Sequence, residues 1–174
     1  MNGTTVWMRF TAIAMLVIPV LDVLVRFTVP GGWIFAFVFF LGAPVWLLAY
    51  GLLFWMSLGM LRSDSTFAAA PKAPRTIIAT LVWAYLACMT FFCLFMSDGG
   101  DADYWQSPGG HLFGVELYDS SAPEFLRTAE DLAVRGLPLG FLALLAAAIC
   151  YGVLVAGNRR RRYSAPSEYS VSGS

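Results

Sequence analysis

Charge is scarce in this sequence. Of its 174 residues only 13% are charged, against about a quarter in ordinary soluble domains, while 59% are hydrophobic. Histidine occurs once, as His111, which excludes a haem held by two histidines of one chain and a zinc site built from several. It also removes the base for a serine nucleophile, and the G-x-S-x-G turn is absent. The three cysteines, Cys88, Cys93 and Cys150, all sit inside apolar runs and none belongs to a C-x-x-C pair, so neither a disulfide framework nor a redox couple is expected. Cys88 and Cys93 fall on different helix faces and make a poor metal pair. With no cofactor or metal motif present, composition points away from an enzyme.

What the chain has instead is long apolar stretches. Crossing about 30 Å of hydrocarbon takes roughly 20 apolar residues as a helix. Four stretches qualify: Val6 to Phe27, Trp33 to Met60, Thr76 to Met96 and Leu137 to Ala156. None shows the alternation of barrel strands, and only helices or closed barrels satisfy their backbone groups in lipid. The expected fold is therefore an all-α integral membrane protein. Four transmembrane helices form an up-down bundle over residues 1–158, and a basic, then disordered, cytoplasmic tail covers 159–174. The first span is read as retained, since "RFTVPGGW" offers no A-x-A-like cleavage site.

Placement of the few charges orients the bundle. Arg9, Arg62, Lys72, Arg75 and the run Arg159, Arg160, Arg161 and Arg162 lie on one side, opposed there only by Asp64 and Glu168. The loop 97–136 between the third and fourth spans carries eight acids against Arg127 and Arg135. Excess lysine and arginine marks the cytoplasmic side. Both termini are expected in the cytoplasm and the acidic loop outside. Moving the arginine run across would cost about 2.5–3.5 kcal/mol per residue, so it serves as the orientation anchor. A nucleic-acid partner has no support, because the run stands alone with no folded module around it. Arginine outnumbers lysine ten to one, a composition that hints at a bacterium.

Within the spans, Asp22 and Arg26 stand i,i+4 in the favourable order for a helix ion pair near the outer interface. They read as a self-compensating pair or as one wall of an outer vestibule. Pro19 and Pro44 predict kinks in the first two helices. Small residues at four-residue spacing, Thr80, Ala84 and Cys88 on the third span and Ala148 and Gly152 on the fourth, predict helix-packing seams within the bundle or toward a partner.

Function is expected in the outer loop. Asp98, Asp101 and Asp103 have the charge for a cation but not the order of an EF-hand, and His111 beside two glycines reads as exposed. From Ser121 and Glu124 onward, a capping box and the stripe Phe125, Leu126, Ala129, Leu132 and Ala133 predict one amphipathic outer-loop helix, ended by Gly136 and Pro138. The layout resembles that of tetraspanins and of quinone-linked thiol oxidases. The Cys-Cys-Gly motif and loop cysteines of the first and the paired cysteines of the second are missing, so no family is assigned. Two functions lead: an accessory or interaction subunit, binding the lipid bilayer and other membrane subunits or itself, and a small transporter or channel-like protein with a vestibule near Asp22 and Arg26; an enzyme, which would have to work with scattered acids and one histidine, comes third.

Overall fold

A computed structural model describes residues 3–29, 33–98, 106–114 and 123–163. It contains α1 (Gly3–Arg26), α2 (Trp33–Leu61), α3 (Lys72–Phe95), α4 (Pro108–Leu112) and α5 (Glu124–Tyr163). The described residues hold no strand; a single antiparallel bridge joins Asp98 and Gln106. Four of the helices are long and apolar enough to cross a membrane. Their outward faces carry large apolar side chains, among them Phe10, Val17, Leu48, Leu142, Ile149 and Val153. Such a surface suits lipid rather than water.

The core is organised around α3. One side of it packs on α1 and the other on α5, while α2 packs on α1 and touches α5 only locally. The face of α3 turned inward is Ile78, Ala79, Val82, Tyr85, Leu86 and Cys93. Its counterpart on α5 is Leu126, Ala129, Ala133, Leu144, Ala147 and Tyr151. Between these two stretches the helices come closest. A Cβ on Gly140 would lie 2.8 Å from the Cβ of Cys88, and one on Gly136 would lie 3.9 Å from its Sγ. Cys88 thus lies in the seam, with Ala148 packed half-buried against the core. Gly152 is half-buried near Trp55, but Thr80 and Ala84 are exposed and take no part in the internal contact.

The helix that carries the expected fourth span does not begin at Leu137. The expected outer-loop helix and the fourth span are one 40-residue helix, with Pro138 inside it. At 1.5 Å per residue it is about 60 Å long, twice the thickness of the hydrocarbon layer. Gly136 lies within the helix facing α3, where a Cβ would make only ordinary van der Waals contact with Cys88, so it neither reverses the chain nor sets the helix separation. Pro138 deprives only the carbonyl one turn back of its donor. The apolar contact continues on both sides of it, so the helix runs through. The outward side changes character along this length. Leu142 and Ile149 occupy it in one part, and Asp131 and Arg135 occupy it two to three turns earlier, paired at 3.4 Å.

Polar groups inside the bundle are matched locally. Pro19 withdraws a donor from the turn beginning at Met15. On the neighbouring carbonyl, that of Leu16, α2 supplies the hydroxyl of Tyr50 at 3.2 Å. Trp83 donates its indole N–H to Thr11 at 3.1 Å and stacks against Trp7 and Phe10. The connection between α2 and α3, motif-free in sequence, is folded. Ser65 donates to the Gly59 carbonyl at 2.6 Å and accepts from the Ala68 amide at 3.1 Å. That turn places buried Phe67 against Tyr151, which also meets Trp55 edge-on.

Gly140→Ala is expected to force α3 and α5 apart and to cost about 1–3 kcal/mol, the range of overpacked cores. Gly51 has open space where its Cβ would lie, so Gly51→Ala is expected to be neutral or to stabilise by up to about 1 kcal/mol. Unfolding titrations in mixed micelles measure both. Cys88→Gly should restore stability to the Gly140 variant, because it removes the side chain that the new methyl meets.

Candidate functional site: a buried polar clasp

The end of α1 meets the end of α3 at a group of polar side chains. Asp22 projects inward one turn before α1 ends and is almost completely buried. Its described partner is across the interface, where the Thr90 hydroxyl donates to Oδ2 at 3.2 Å. Buried Tyr85 and Cys93 lie on the same inward face of α3, within electrostatic reach of that carboxylate. Arg26, the last residue of α1, turns away from its own helix. One guanidinium nitrogen lies 3.4 Å from Oδ2 of Asp98 and another donates to the carbonyl of Met96.

This differs from the local pair expected between Asp22 and Arg26. Spacing i,i+4 places both on one side of α1, but Asp98 and the Met96 carbonyl together offer the guanidinium two acceptors just beyond the end of α3. Planar guanidinium groups favour such two-sided contacts. The Asp98 side chain is 0% exposed and that of Arg26 13%. Neither lines an open vestibule in this arrangement.

The clasp extends into the segment that follows α3. Ser97 donates through its amide, at 3.4 Å, and through its hydroxyl to Oε1 of Glu130 on α5. Asp98 and Gln106 exchange backbone hydrogen bonds of 2.9 and 3.2 Å, closing the ends of the intervening loop together. Ser107 then accepts from the Gly110 amide at 3.0 Å and starts α4. A side chain on Gly109 would meet the Phe95 ring at 2.9 Å and the Leu94 carbonyl at 3.1 Å, so this glycine lets α4 lie directly on the end of α3. On the far side, Phe113 meets Phe125 edge-on, with centroids 5.5 Å apart. Residues 96–98 and 106–114 and the first turns of α5 therefore form one small folded head, fixed to the bundle through Arg26.

Of the acids singled out in sequence, Asp98 is in the clasp, whereas Asp101 and Asp103 lie outside the described residues. Ser121 of the expected capping box lies outside them too. His111 is exposed on α4. The side chains of Arg159, Arg160, Arg161 and Arg162 are likewise not described, although their backbone continues α5. Among the described residues no three histidine, cysteine or acidic side chains converge as metal ligands. Sequence reading passed over Thr90, Ser97, Gln106 and Glu130. Glu130 alone carried a signal, as an acid directly beside the apolar stripe of its helix.

Asp98→Asn withdraws the charge opposite a nearly buried guanidinium. It is expected to lower the free energy of opening the head by about 3 kcal/mol, as for other broken buried pairs. Asp131→Asn disrupts a pair whose side chains are 79% and 73% exposed and should cost under about 1 kcal/mol. Hydrogen exchange at the Asp98 and Gln106 amides in lipid nanodiscs measures both. Compared with protein-family models, with curated proteins and with solved structures, the chain matches none of them.

Proposed function

We propose that this chain is an accessory or interaction subunit of a membrane complex. In this reading it spans the plasma membrane of a bacterium four times and holds a folded acidic head on the outer surface. The supporting observation is how the ionisable residues of α1 are used. Arg26 is bound between Asp98 and the Met96 carbonyl, and Asp22 accepts from Thr90. Both thereby serve to hold the bundle and its head together. A transport pathway needs such groups turned toward a route for solute. The transporter reading is the weaker one for that reason.

In this reading the hydrocarbon ends along α5 where exposed Leu139 and Leu142 give way to the exposed pair of Arg135 and Asp131, with Leu132 and Val134 beside them. The cationic residues Arg9, Arg62, Lys72, Arg75 and Arg159 to Arg162, expected at the opposite end, support placing that end in the cytoplasm. In this reading the head, with exposed Glu124 and Asp131 on the first turns of α5, faces the exterior, where partner subunits or a second copy meet it.

Two measurements test this. A phosphatase fused after Ser174 is expected to be inactive and a fluorescent protein at the same place bright; the reverse result overturns the orientation. Photo-crosslinkers at the exposed Arg127 and Leu142 positions, followed by gentle-detergent purification from native membranes, should recover one stoichiometric companion. Recovery of the uncrosslinked monomer alone overturns the subunit role.

A further inference from the structure

The head carries large apolar side chains that the described residues leave uncovered. Leu112, at 79%, is the most exposed of the described large apolar residues, and Phe113 beside it is exposed as well. Phe113 meets Phe125 edge-on at the start of α5. Phe125 is itself one end of a line. Phe125, Leu132 and Leu139 recur at seven-residue spacing, close to two helical turns, and all three are exposed. They form one flank of α5. The adjoining flank bears exposed Glu124, Arg127, Asp131 and Arg135. Over the same turns, therefore, the helix is charged on one flank and apolar on the next.

Heights along the bundle indicate what meets the apolar flank. Ser97, just past α3, bonds Glu130, so Leu132 stands level with the end of α3 and Phe125 lies about 10 Å beyond it. A headgroup layer is about 5–8 Å thick on each side of the hydrocarbon. The line from Leu139 through Leu132 to Phe125 thus leaves the spans and crosses that layer with no charge on its own flank. Gly109 holds α4 against Phe95 and the Leu94 carbonyl, which keeps Leu112 and Phe113 close to the same level.

We propose that Leu132, Phe125, Phe113 and Leu112 form an apolar ridge that seats the head in the headgroup layer, with phospholipid as its ligand. The occupant follows from continuity, since whatever covers Leu139 covers the rest of an unbroken line. A protein surface meeting the head alone has no need of the line's extension down to Leu139. Leucine and phenylalanine on one side of a helix and charges on the other is also the composition by which helices hold a membrane surface. Seated this way, the head turns the flank of Glu124, Arg127, Asp131 and Arg135 away from lipid, as the side left open to a partner. The ridge rests on the spanning reading above and not on the subunit role.

Phe125 and Arg127 give the test, because they stand at nearly one height on different flanks. The purified full chain is placed in nanodiscs of a single phospholipid, with a benzophenone amino acid at one position at a time. Leu142, on the span, reports whether the helix meets lipid at all. Lipid adducts, read by mass spectrometry, should form at Leu142 and at Phe125, with a yield at Phe125 about threefold or more above that at Arg127. Adducts at Leu142 with an equal or lower yield at Phe125 than at Arg127 overturn the ridge and leave the spans standing. Crosslinks between copies in place of lipid at Phe125 do the same. No adduct at Leu142 overturns the spanning reading and the ridge with it. A second measurement needs no substitution: the Leu112 and Phe113 amide signals should be broadened by a nitroxide on the lipid headgroup and spared by a soluble gadolinium chelate. Broadening by the chelate alone overturns the ridge.

Discussion

The approach of α3 to α5 through Gly140 is the constraint from which the rest of the molecule follows. Lipid offers no hydrophobic reward for bringing two helices together, so association there relies on dispersion contacts that require close backbones. Gly140 against Cys88 supplies that closeness at one point. From it, a single apolar face extends in both directions along α5, down to Tyr151 and up to Leu126. Because α5 continues past the end of α3, its first turns lie beside the segment that follows α3 and form one side of the head. Were the helices held apart at Gly140, Glu130 would lose its register with Ser97.

The four long apolar helices were legible in the sequence because length and hydropathy are both local properties. A long apolar helix covers each expected stretch; α3 begins slightly earlier, at Lys72, and the fourth stretch lies inside the much longer α5. The continuity of α5 was not legible. Gly136 and Pro138 are strong signals for a helix end in water, but their meaning is set by what faces them. Cys88, 48 positions back in the chain, is what faces Gly136. Small residues were similarly ambiguous. Thr80 and Ala84 share the spacing of Cys88, and only the path of α5 determines which of the three it meets.

The polar site divides along the same line. That Asp22 and Arg26 matter was readable, because ions in an apolar helix are expensive and need partners. Their partners were not readable. A spacing rule compares residues on one helix, whereas Thr90 and Asp98 reach α1 only through the tertiary arrangement of α3. The same limit hid Ser97 with Glu130 and the folded turn around Ser65 and Phe67. Each depends on two distant segments arriving together.

Placement of the head also requires directional contacts, for a physical reason. An apolar face of leucine, alanine and phenylalanine tolerates small rotations and slides, since dispersion falls off evenly and lipid can fill what is vacated. Nothing in such a face selects one register for a short segment lying on top of it. An ion pair and a bifurcated arginine select sharply, because a shift of an ångström or two leaves a charge unpaired in a poorly solvated place. The chain spends its few interior charges at this junction. The helices find each other through shape, and the head finds the helices through charge.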